Sequence, residues 1–296
     1  MPRLALLAFI WGWSFLFIKV GVEGMTPTTV AGLRIALGAV VLLAYCRVRG
    51  LAVPRDPSSV RHFAVVALMG SALPFTMLAW GEQRITSNLT AVLNASTPLF
   101  AAVFAAVVLG ERLRSPAVAG LVVGLTGVGV AAGVGGSDLA GSSLAGGFAS
   151  VLAGACYGYS FAYMKANLLH LPAEVAAAGQ LTVGAIVLAP FAAVTTAVEG
   201  IDLAPHRVLA VVLLGVVGTG CAYALNYRVV AELGPTTASL VTYLIPVVAV
   251  AVGVVLLDEA FHLRVLAGGA LIVVGIALVH GRLRLPGGRR PTPVGA

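Results

Sequence analysis

The chain has 296 residues, 59% of them hydrophobic and only 10% charged, with a formal net charge of +7. That composition excludes an ordinary soluble enzyme. The basic residues fall in short stretches between apolar runs rather than on one face, which excludes a nucleic-acid binder.

The runs are each about 20 residues long, enough for a helix to cross the hydrocarbon core of a bilayer. In chain order they cover 4–22, 27–46, 62–81, 85–109, 116–134, 146–166, 174–195, 207–227, 235–257 and 264–280. A segment inside hydrocarbon must satisfy its own backbone hydrogen bonds, so each run is expected to be a helix. The first has only Arg3 ahead of it, no small-x-small cleavage pattern and Lys19 near its far end. It therefore reads as a span and not as a signal peptide. The expectation is an all-α polytopic membrane protein with ten transmembrane helices.

Orientation follows from Lys and Arg. With the N-terminus inside, thirteen basic residues fall in cytoplasmic segments and three (Arg84, Arg207, Arg264) in outer ones. Both termini are then cytoplasmic, in the inner or plasma membrane. The polar stretch 135–145, GGSDLAGSSLA, becomes an outer linker, and the basic, Pro/Gly-rich 281–296 a disordered cytoplasmic tail.

The two sides of that linker, 1–134 and 146–280, repeat one another. WGWSFLFIK at 11–19 matches YGYSFAYMK at 157–165 at an offset of 146. Further along the offset is 148, which pairs Pro98 with Pro246, Glu111 with Glu259 and Gly127 with Gly275. A repeat of five spans is odd, so the second copy must enter the membrane inverted. Inverted repeats are the architecture of many secondary transporters, whose substrate site lies between the halves near the midplane.

Several residues inside the runs are candidates for a cavity. Arg34 lies seven residues beyond Pro27, about 10 Å along a helix, and an intramembrane guanidinium is functional by default unless it snorkels or ties a helix end. With no partner acid in mid-span, it could receive a carboxylate of the cargo bidentately. Lys19 could do the same or snorkel. Trp11, Trp13, Tyr157 and Tyr159 alternate with small residues and could line a cavity, while Gly12 and Gly158 could equally serve close helix packing. Asn94, Thr97, Asn226, Thr242 and Tyr243 offer polar groups, either to cargo or to neighbouring helices. Pro98 and Pro246 are expected to kink equivalent helices in mid-span. Glu23, Glu82, Glu111, Glu232, Asp258 and Glu259 all fall at predicted ends, so no acid is assigned to a proton relay and the coupling ion is left open. Gly120-x-x-x-Gly124 could pack within the protomer or form a dimer face, leaving monomer and homodimer both open.

The sequence resembles the drug/metabolite transporter superfamily, in its ten-helix branch with two EamA-type domains. The resemblance rests on WGWSF with Lys19, on Arg34, and on TSNLTAVLNASTPLFAAVFAAVVLGERL at 86–113 with its partner GPTTASLVTYLIPVVAVAVGVVLLDEAF at 234–261. It implies that the stretches before Pro98 and Pro246 face a central cavity and that Glu111 and Glu259 close their helices. Asp258 replaces the Gly of the first copy, and Gln180 stands where Arg34 does. The function expected is secondary transport of a small metabolite, such as an amino acid, organic acid or drug-like compound, in the export direction by alternating access.

The rivals are a channel-like facilitator and an integral-membrane enzyme. No filter-like ring is legible. The five histidines are scattered and the three cysteines widely spaced, so neither a catalytic group nor a metal or cofactor site is assigned.

Overall fold

The computed structural model describes residues 2–111, 113, 115–133, 141–226, 229, 241–260 and 262–281. The described residues are helical or connecting, and the protein is an all-α polytopic membrane protein. The helices are α1 (Pro2–Val22), α2 (Pro27–Val48), α3 (Pro57–Glu82), α4 (Ser87–Leu109), α5 (Ser115–Ala132), α6 (Gly141–Asn167), α7 (Ala173–Glu199), α8 (Pro205–Asn226), α9 (Val241–Leu256) and α10 (Leu263–Val279). Seven of them, α1 to α5 with α7 and α8, are long and apolar enough to cross a membrane among the described residues.

The ends obey local chemistry. Thr26, Asp56 and Thr86 cap α2, α3 and α4, each accepting a hydrogen bond from the amide three residues on. Pro27 and Pro57 occupy the first turn, where a missing N–H is harmless. After α4, Gly110 takes φ 69°, a left-handed conformation that suits glycine.

Two helices widen in the middle. In α3 residues Leu68–Ala72 form a π turn, with Leu73 N–H bonding back to Leu68 O. Pro74 follows at once and could not have donated in an α ladder. In α8 residues Val216–Cys221 widen in the same way, between glycines 215, 218 and 220. The two widenings begin 148 residues apart, at the offset of the later repeat matches.

Pro98 departs from expectation. It does not kink α4 in mid-helix: the helix is interrupted at Ala95–Ser96, and a new stretch begins at Thr97 with Pro98 in its first turn. Because Pro98 cannot donate, the Thr97 hydroxyl takes the carbonyl of Asn94 at 2.8 Å. Pro246, in contrast, lies inside the helical run of α9.

Packing depends on close backbone approaches, as expected where lipid gives helices no solvophobic reason to associate. A Cβ on Gly127 would lie 2.6 Å from Gly268 O, and one on Gly275 2.6 Å from Gly120 O, so α5 and α10 touch backbone to backbone. A Cβ on Gly12 would meet Val248 Cβ at 2.5 Å, and one on Gly158 would meet Ala101 N at 2.6 Å and Phe100 Cβ at 2.8 Å. α1 therefore lies on α9 as α6 lies on α4, through residues at the repeat offsets. One apolar core joins α2, α3 and α7 around Ile35, Leu42, Phe75 and Leu181. Another joins α4, α5 and α10 around Leu93, Leu99, Ile272 and Ile276.

Candidate transport site

The π segments bring their hydroxyls to α2 and α7. Arg34 of α2 is 6% exposed and donates from Nε to Thr219 Oγ1 of α8 at 2.8 Å. Thr219 in turn donates to Leu214 O, five residues back, at 3.0 Å. The guanidinium also lies over Phe75 of α3, 3.7 Å from the ring centroid. In the mirror position Gln180 of α7 donates from Nε2 to Ser71 Oγ of α3 at 2.7 Å. Tyr223 is hydrogen-bonded to the same Ser71. The pairs Arg34/Gln180, Ser71/Thr219 and Phe75/Tyr223 stand at the repeat offsets, so one arrangement is built twice, and only one copy carries a charge.

Serines and aromatics of α1 and α6 fit around this crossing. Gly218 leaves room for Ser14 Oγ, which a Cβ would meet at 2.9 Å, and Gly70 leaves room for Ser160 Oγ in the corresponding place. Trp11 Nε1 donates to Gly218 O at 3.2 Å. Tyr157 meets Phe75 edge-on at 6.2 Å. Trp13 is held between Phe9 and Phe17 of its own helix, at 5.6 and 5.9 Å, with no partner for its buried Nε1 among the described residues. Tyr159 packs against Phe104 and Tyr163. Asn94 keeps a buried Oδ1 without a partner among the described residues, beside the break in α4, and Asn226 ends α8 half-buried. The side chains of Thr242 and Tyr243 lie outside the described residues. Arg34, Trp11 and Tyr157 are thus brought together around the π segments, whereas Trp13 and Tyr159 are turned into aromatic clusters of their own.

A cavity of about 610 Å³ lies elsewhere, where the start of α4 faces the end of α5 and the starts of α6 and α10. Lys19, Arg84, Thr86, Phe148, His262 and Arg264 line it, and no carboxylate is among its described lining residues. Of the residues singled out in the sequence only Lys19 is on its wall. Lys19 Nζ donates to the carbonyls of Glu82 at 2.5 Å and Ile85 at 3.1 Å. Arg84 folds over Trp80, 3.5 Å from the ring centroid, and donates to Trp80 O at 3.0 Å. Arg264 has a buried Nε with no hydrogen-bond partner among the described residues. Arg84 and Arg264 entered the sequence reading only as charges that fix orientation. Their place at the same predicted membrane face as Lys19 was the available signal.

Glu82, between these two regions, is the residue the sequence undervalues. It ends α3 as expected, yet it is 0% exposed, and neither carboxyl oxygen has a hydrogen-bond partner among the described residues. Its burial comes from packing by other helices and has no hydropathy signature. Glu259 behaves differently from the helix-closing role implied by the resemblance. It reaches from beyond α9 to the first turn of α4, accepting from Ser87 N at 2.6 Å and Asn88 N at 3.0 Å, where an anion suits the helix dipole. Glu111 instead pairs with Lys165 at 2.7 Å in an exposed ion pair. Among the described residues no group of three or more His, Cys, Asp or Glu is placed to hold a metal ion.

Comparison with known proteins places the chain among membrane transporters. The EamA-like transporter family matches residues 3–132 and again 144–281. An uncharacterized transporter of Bacillus subtilis (strain 168), YoaV, is 25% identical over 270 residues, covering 91% of this chain and 92% of its own. A protein of Streptantibioticus cattleyicolor described as a probable terminal-alkyne amino-acid exporter is 28% identical over 283 residues, 94% of this chain and 92% of its own. An uncharacterized inner membrane transporter of Escherichia coli (strain K12), YedA, is 27% identical over 285 residues, 95% of this chain and 90% of its own. A solved crystal structure superposes with a TM-score of 0.66 at 23% identity, covering 93% of this chain and 94% of the other. That likeness concerns the fold alone.

Proposed function

Because the chain belongs to the EamA-like transporter family, we propose that it is a secondary transporter that moves a small metabolite across the cytoplasmic membrane by alternating access. In this reading all ten helices cross the bilayer, in two inverted repeats of five, over 1–134 and 146–280, with both termini cytoplasmic. The chain acts as a carrier and performs no chemistry on its cargo.

The observation that carries the reading is the doubled crossing at the π segments. Arg34 meets Thr219 while Gln180 meets Ser71, so each half holds the other by the same contact. Two similar bundles tied in this reciprocal way can exchange inward-open and outward-open packings at comparable energy. A π turn suits such a joint, since its longer hydrogen-bond loop leaves backbone groups to be satisfied by side chains.

The cargo class follows from the charges. Lys19, Arg84 and Arg264 face one cavity with no acid among its described lining residues, which favours an amino acid or organic acid held by its carboxylate. The name of the Streptantibioticus cattleyicolor relative, an amino-acid exporter, supports the same class and the export direction.

The test is a stability screen of the purified protein against amino acids, organic acids and drug-like amphiphiles, followed by counterflow in proteoliposomes. A carrier takes up labelled compound faster when the vesicles are preloaded with unlabelled compound. Uptake indifferent to preloading would favour the channel-like alternative.

A further inference from the structure

A carboxyl group that is wholly buried and has no hydrogen-bond donor is costly as an anion. Its desolvation amounts to several kcal/mol unless an opposite charge and further hydrogen bonds offset it. Glu82 has no such hydrogen bond among the described residues, and the cations near it are committed to other groups. The charged groups near enough to act on it are Lys19 of α1, Glu259 beyond α9 and Arg34 of α2. Each is engaged elsewhere. Lys19 bonds two backbone carbonyls, one of them Glu82's own. Arg34 is held by Thr219 and Phe75. Glu259 is bound to the α4 amides and has the same sign as Glu82.

At Glu82 the other described elements packed against α3 bring up polar and aromatic groups and no further cation. α6 presents Ser150 beside Gly81 and Tyr157 against Phe75. Ser87 and Asn88 of α4 are turned to Glu259, and α8 presents Tyr223 at Ser71. Arg84, two residues on, is turned onto Trp80. Lys19 is also on the wall of the cavity, so the surroundings of Glu82 border a space that water can fill.

The geometry points to Glu82 as the proton-binding site of the carrier: its carboxyl holds a proton while packed as here and releases it to water when the end of α3 opens to the cavity, so that a proton moves in exchange for cargo. The step balances simply, the O–H bond of the acid breaking to leave the carboxylate and a hydrated proton, and reforming on return. The coupling half rests on the transporter reading. The proton site itself does not.

Infrared difference spectroscopy of the full chain in nanodiscs, titrated with acid and base in H2O and D2O, tests the site with the proton as probe. The wild type should show a carboxylic-acid carbonyl band at neutral pH that shifts in D2O. Glu82→Gln should lose it and Glu259→Gln should keep it. No such band in the wild type, or a band that survives in Glu82→Gln, overturns the proposal. Coupling is read in proteoliposomes with a radiolabelled mixture of amino acids and short carboxylic acids. Glu82→Gln should retain counterflow, while accumulation driven by one pH unit falls from up to about tenfold to onefold. Accumulation that still follows the pH gradient in Glu82→Gln refutes the coupling. Wild-type protein that shows the acid band but no counterflow would count against the transporter reading and leave the proton site standing.

Discussion

Replacing Thr219 by Val removes the acceptor of the Arg34 Nε hydrogen bond and leaves a buried guanidinium donor unpaired. Hydrogen bonds to charged groups contribute about 1.5–3 kcal/mol, and an unsatisfied buried donor bears its full desolvation cost. Thr219→Val should therefore destabilise the protein by about 2–3 kcal/mol. Arg34→Met acts on the other end. It forfeits the same bond and the contact over Phe75, worth up to about 2 kcal/mol when desolvated. It also removes a buried charge, which a well-packed apolar side chain of similar length can replace at little net cost. Arg34→Met should thus be milder than Thr219→Val, and the double variant should be about as stable as Arg34→Met alone, giving a coupling energy of about 2–3 kcal/mol. The mirror pair Gln180 and Ser71 is neutral, so its coupling should be roughly half as large. Equilibrium unfolding in mixed micelles, followed by tryptophan fluorescence, measures all four corners of both cycles. A coupling near zero for Arg34 and Thr219, or one no larger than that of Gln180 and Ser71, would refute the reasoning.

Gly127→Ala should cost about 1–3 kcal/mol by overpacking, since its Cβ would meet Gly268 O and Ile272 N. Gly129→Ala, with nothing within 4 Å, should stay within about 0.5 kcal/mol of wild type, and melting curves of both variants check the contrast. Asp56 accepts from Ser59 N, which holds its carboxyl below the usual carboxylate range. Its stabilising contribution is therefore complete above the ordinary carboxylate value and lost as pH falls through the lowered one. The difference in melting temperature between wild type and Asp56→Ala should accordingly shrink as the solution is acidified. Lys165→Ala should leave stability nearly unchanged, because its partner Glu111 and Lys165 itself are both exposed.

The helical, membrane-crossing character was legible because apolar runs bounded by Pro, Gly and charge leave few alternatives in hydrocarbon. The match of Arg34 with Gln180 was legible too, as a repeat. Their partners were not singled out, although LMGSALPF at 68–75 and VVGTGCAY at 216–223 place Gly, Ser or Thr, and Phe or Tyr at the same 148-residue offset. A π turn alters hydrogen bonding by one residue and leaves hydropathy unchanged, so no apolar pattern announces it. Glu82 was hidden for a related reason. At the end of a span, an acid in water and an acid buried among neighbouring helices look alike in sequence, and only packing separates them. Pro98 was read as a kink because proline's missing donor does not say whether a helix bends or restarts. The hydroxyl of Thr97, ready to take the Asn94 carbonyl, made the restart possible.

The claim on which the account turns is that five spans precede the central linker and five follow it, so that the halves face opposite ways. Single cysteines at positions 52, 139 and 288, in a chain whose three native cysteines are replaced by alanine, report this in intact cells with a membrane-impermeant maleimide. The account predicts that position 139 is labelled from outside, and that positions 52 and 288 are labelled only after the membrane is opened. Labelling of position 288 in intact cells would contradict it.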